Sequence, residues 1–68
     1  MRHIALIQLT DQGSGQNGFV VIRAGERQVA LGLSLEEDGD IEIVMDREIA
    51  EQVEAALRQA IQVLIEQE

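Results

Sequence analysis

From Gln28 to Leu35 large apolar and small residues alternate. Val29, Leu31, Leu33 and Leu35 point one way, and Ala30, Gly32 and Ser34 point the other. Ile41–Met45 repeats the pattern, with Ile41, Ile43 and Met45 on one face. Period-two alternation marks a half-buried antiparallel strand. His3–Leu9 is a short apolar run, and Phe19–Arg23 is a β-branched run with an aromatic lead. Between them, residues 10–18 (TDQGSGQNG) are all turn formers and read as a loop. After Met45 the period changes. Ile49, Val53, Ala56, Leu57, Ala60, Ile61 and Leu64 recur at helical spacing. Asp46 is a suitable N-cap, Glu48 suits the positively polarised first turn, and no Gly or Pro follows. The expected fold is α+β: a four-stranded antiparallel β-meander over about 3–9, 19–23, 28–35 and 41–45, then one long C-terminal helix over about 47–67. The helix packs on one sheet face, and residues 1–68 form one small domain.

The turns predict registers. A two-residue turn at Gly25-Glu26 pairs Ile22 with Val29 and Val20 with Leu31, and sets Phe19 across from Gly32. A three-residue turn at Glu37-Asp38-Gly39 uses Gly39 as its left-handed residue, and pairs Leu35 with Ile41 and Leu33 with Ile43. It also sets Glu36 across from Asp40, a mildly unfavourable like-charge pair. A two-residue turn at Asp38-Gly39 would set Leu35 against Glu42 and scramble the faces, which excludes it.

A helix of roughly 20 residues spans about 30 Å, whereas strands of five to eight residues span about 17–26 Å. The helix is therefore expected to overhang its own sheet. Val63 and Ile65 widen its apolar stripe there, and a second subunit would give them a home. The sheet face away from the helix carries Phe19, Val21, Ala30 and Val44, with Phe19 and Val44 expected to flank Gly32 as a small apolar patch. Phe19, Val21, Val44, Val63 and Ile65 are thus the candidate partner-interface residues.

Composition sharpens this picture. The chain has 68 residues, one aromatic residue, no cysteine and a net charge of −8. A domain of this size buries only about 60% of its unfolded surface and usually needs a disulfide, a metal or a second subunit. Without cysteine and with a single histidine, association is the remaining route, so a homodimer is expected. The same features point to a cytoplasmic setting, with neither a membrane span nor a secretory leader. The charge is uneven. Residues 36–42 (EEDGDIE) hold five carboxylates and no base. Glu36, Glu37, Asp38, Asp40 and Glu42 are candidates for docking a basic protein, and they argue against direct contact with nucleic acid.

Catalytic chemistry is sparse. Gly13-Ser14-Gly15-Gln16-Asn17-Gly18 matches G-x-G-x-x-G, but a strand follows where a dinucleotide site needs a helix. Gly18-Phe19-Val20 extends it to the G-x-G-x-x-G-x-V pattern that covers ATP phosphates in protein kinases. Yet Gly32 stands where the phosphate-pairing Lys belongs, and the chain has no Lys. What remains is a possible nest of backbone N–H groups for an anion. His3 has no second histidine or nucleophile at useful spacing. The acidic turn lacks calcium-loop spacing. No catalytic residues, metal or cofactor are expected. The expected function is a small non-catalytic protein-interaction module, a homodimer. One alternative is an acidic inhibitor or antitoxin-like protein that occupies a basic, nucleic-acid-binding surface of its partner. Another is an anion sensor using the Gly-rich loop.

Overall fold

The computed structural model describes residues 1–68 and shows four strands and one helix. They are β1 (Arg2–Thr10), β2 (Asn17–Ala24), β3 (Gln28–Leu35), β4 (Gly39–Asp46) and α1 (Arg47–Gln67). The strands form one antiparallel sheet in the order β1-β2-β3-β4, a meander. The helix follows on one face. Its start is set by Asp46, whose carboxylate accepts a hydrogen bond from the Ile49 amide at 2.9 Å. No helix is long and apolar enough to cross a membrane.

The strands reach further into the glycine-rich segment than the sequence suggests, so the loop shrinks to residues 11–16. Thr10 pairs with Asn17 and Leu9 with Gly18. A Cβ on Gly18 would stand 2.1 Å from the Ser34 carbonyl oxygen, so glycine is required there for close strand approach. Ile4 is the extra residue where the β1–β2 register shifts.

Both expected hairpin registers need correction by two residues. Ile22 pairs with Leu31, Val20 with Leu33 and Phe19 with Ser34. The turn residues are Glu26-Arg27, closed by a 2.8 Å hydrogen bond from the Gly25 amide to the Gln28 carbonyl. In the next hairpin Leu35 pairs with Gly39, Leu33 with Ile41 and Leu31 with Ile43. Gly39 does adopt a left-handed conformation, φ +82°. It opens β4 rather than closing the loop. A two-residue shift preserves every side chain's face, so the division into two faces stands. The helix-side face carries Ala5, Ile7 and Leu9 of β1, Val20 and Ile22 of β2, Val29 to Leu35 in alternation, and Ile41, Ile43 and Met45 of β4.

The helix covers little of that face. It approaches only β3 and β4. Ala50 and Val53 are half-buried, and every residue after Val53 is exposed. In the whole chain only Ala30 is fully buried, and it lies on the outer face. On the same face the Arg23–Glu42 ion pair spans from β2 to β4 across the strand that carries the small residues Ala30 and Gly32.

Candidate functional site

The helix-side face of the sheet is chemically uniform. Between Ala5 and Leu9, Gly18 and Ala24, Val29 and Leu35, and Gly39 and Met45, no residue facing this side is charged. Ile7, Ile41 and Ile43 are half or more exposed, and so are Leu57, Ile61 and Leu64 of the helix. An open groove of about 440 Å³ separates the two surfaces. Ile22, Val29, Leu31 and Met45 form its floor, and Ala50, Val53, Leu57 and Ile61 form its wall. Glu54 and Arg58 close its rim as an i, i+4 ion pair. A contiguous apolar surface of this extent, rimmed by polar residues, has the composition of a protein–protein contact.

The candidate interface residues are only partly brought together. Val63 and Ile65 lie exposed on the last turns of the helix, beside Leu64 on the same open surface. Phe19, Val21 and Val44 are on the opposite face of the sheet. The expected row of Phe19, Gly32 and Val44 does not form. Val21, not Phe19, neighbours Gly32, and Glu42 stands on its other side. Val44 lies one row away, beside Ala30. The Arg23–Glu42 pair crosses the line from Val21 to Val44 and divides the patch with charge.

The acidic cluster is similarly divided. The Ser34 hydroxyl donates to Asp40, which stands opposite it. The expected Glu36–Asp40 like-charge opposition is thereby corrected, because Glu36 lies in the loop. Glu42 is engaged by Arg23. Gln16 ties the two loops at this end together. Its amide nitrogen donates to Asp38 at 2.9 Å, and its carbonyl accepts from the Glu37 backbone N–H at 3.0 Å. The carboxylates of Glu36 and Glu37 have no hydrogen-bond or ion-pair partner.

The glycine-rich loop is organised around its own anion. The Asp11 carboxylate accepts from the Ser14 hydroxyl at 2.6 Å and from the Ser14 amide at 3.0 Å. The Gly15 amide donates to the Asp11 carbonyl at 2.8 Å, and Gly15 takes φ +78°. The Ser14 hydroxyl bond, then the backbone amides of Ser14 and Gly13, hold the Asp11 carboxyl below its ordinary value. An incoming anion would find these donors engaged and a fixed negative charge among them. His3 is exposed on β1 opposite Arg23. No group of three or more His, Cys, Asp or Glu side chains is placed to hold a metal ion.

Sequence reasoning assigned the helix-side strand residues to the correct face and expected the helix to pack on it. The signal that they are open was the expected overhang, which begins earlier than the strand lengths implied. Compared with known protein families, with characterised proteins and with solved structures, the chain matches none.

Proposed function

We propose that this protein acts by association rather than catalysis, as a protein-interaction module whose working surface is the helix-side face. The observation that carries this reading is the uncharged apolar surface of sheet and helix left open when the chain stands alone. Leaving it in water forgoes roughly 25 cal/mol for each Å², and a 68-residue domain has little other stabilisation to set against that loss. The reading carries with it a reducing, cytoplasmic setting, where a cysteine-free chain gains cohesion from a partner rather than from disulfides.

Gel filtration of a gentle lysate from cells expressing a tagged chain tests the reading. The wild type should elute well above its 7.5 kDa. Leu33→Asp, which places a charge at the centre of the open face, should move it towards the single-chain position. Elution of both as folded single chains contradicts the reading.

A second reading is favoured by the unpartnered carboxylates of Glu36 and Glu37 at one end of the sheet. These would face a basic surface on another protein. Such a complex weakens steeply with salt, because screened Coulomb attraction holds it together. A complex through the helix-side face does not.

A further inference from the structure

The surface area says how much partner the open face requires. A typical folded monomer of this mass exposes about 4,250 Å², whereas the chain exposes 5686 Å². The excess is roughly 1,400 Å² by that scaling. Two copies each hiding that much would bury on the order of 2,800 Å² in total, within the range of obligate homodimers.

The shape of the excess points to the chain itself. The sheet offers an apolar face with no helix over Ile7, Leu33 and Ile41. The helix offers an apolar stripe on which Leu57, Ile61 and Leu64 stay more than half exposed, Leu57 and Ile61 across an open groove from the sheet. Each is what the other lacks. At 100° per residue, the stripe from Val63 to Ile65 is roughly 200° wide, about twice what a helix lying on one surface needs. A helix apolar on so much of its circumference is suited to contact on two sides. Charge agrees. Each copy carries −8, so two copies repel each other, and least where their contact brings few carboxylates together. On the helix-side face the sheet is uncharged, and the one carboxylate lining the groove, Glu54, is paired with Arg58.

Building on the association reading above, we propose that the occupant of this face is a second copy of the same chain. The two copies meet through a two-fold axis, and the C-terminal half of each helix lies on the sheet of the other. Both helices then occupy the layer between two sheets. Val63 and Ile65 are enclosed there, and Phe19, Val21 and Val44 stay on the outside.

Cross-linking between copies tests this arrangement, and the absence of native cysteine makes it clean. An Ile41→Cys copy, mixed with a Leu64→Cys copy and allowed to exchange, is treated with a short bismaleimide. A linked product of twice the chain mass, containing one copy of each variant, is expected. The product should be lost when Val44→Cys on the outer face replaces Ile41→Cys. Linking only between two Leu64→Cys copies would overturn the helix-on-sheet arrangement. A purified wild-type chain that remains a folded single copy would overturn the second copy as occupant. The association reading would then stand or fall separately, on the lysate experiment. Should a cysteine variant disturb folding, Leu33→Asp still tests the second copy as occupant of this face through mass alone: the wild type double, the variant single. Leu33 is already 42% exposed in one chain, so the charge disturbs the single chain little.

Discussion

Gly18 and Gly32 lie on neighbouring strands of one sheet, yet adding a methyl group to each should have opposite consequences. At Gly18 the new Cβ would meet the Ser34 carbonyl oxygen at 2.1 Å, the Leu35 side chain at 2.7 Å and the Ser34 carbonyl carbon at 3.2 Å. Two of these three neighbours are backbone, so the strands themselves must part by about 1 Å for ordinary contact, which weakens the ladder where β2 meets β3. Overpacking of this kind costs about 1–3 kcal/mol. In a domain this small, each kcal/mol lowers the melting temperature by about 4–8 °C, so Gly18→Ala should melt roughly 4–24 °C below the wild type. At Gly32 the new Cβ would meet Val21 at 3.7 Å and the Glu42 carboxylate at 4.0 Å, both ordinary contacts. There the reduced freedom of the unfolded chain should raise stability by about 0.4–1 kcal/mol. Thermal unfolding followed by circular dichroism, with all three proteins at the same concentration, makes the comparison. Gly18→Ala melting at or above the wild type, or Gly32→Ala falling with it, would refute the strand register on which these distances rest.

Other predictions follow from the loop, the helix start and the charge. Asp11 should titrate below the usual carboxylate range in an NMR pH series, and Ser14→Ala should raise its midpoint by removing the largest cause. Because the folded value is depressed, the stability linked to Asp11 is present above the unfolded carboxylate value and is lost as pH falls through the folded one. Asp46→Ala removes the carboxylate that caps the Ile49 amide and should destabilise the fold by about 1 kcal/mol in denaturant titration. Added salt should strengthen self-association of chains that each carry −8, since screening weakens their repulsion. Sedimentation that shows salt-induced dissociation would instead point to attraction through the carboxylates.

The alternation of Val29, Leu31, Leu33 and Leu35, and the helical spacing after Asp46, were enough to place every element and to assign side chains to faces. Register was harder. Both hairpins slipped by two residues, a change that leaves the face pattern untouched, so hydrophobicity could not detect it. The signals that could have done so were polar. Setting Glu36 across from Asp40 is unfavourable, and sliding β4 by two gives Asp40 the Ser34 hydroxyl instead. With both hairpins slid by two, Arg23 and Glu42 stand at opposite corners of a small-residue gap on β3, and their ion pair divides the outer patch. The glycine-rich loop shows a related omission. Asp11 stands just before the glycines, and its own carboxylate takes the Ser14 hydroxyl and amide donors. The openness of the helix-side face was only half legible. The overhang followed from lengths, but the early departure of the helix after Val53 depends on its angle to the sheet, which no residue pattern specifies.

Sedimentation equilibrium of the purified chain across a wide concentration range tests the central claim most directly. A single species of twice 7.5 kDa, reduced to one chain by Leu33→Asp, is the predicted result. A folded 7.5 kDa species at every concentration would contradict it.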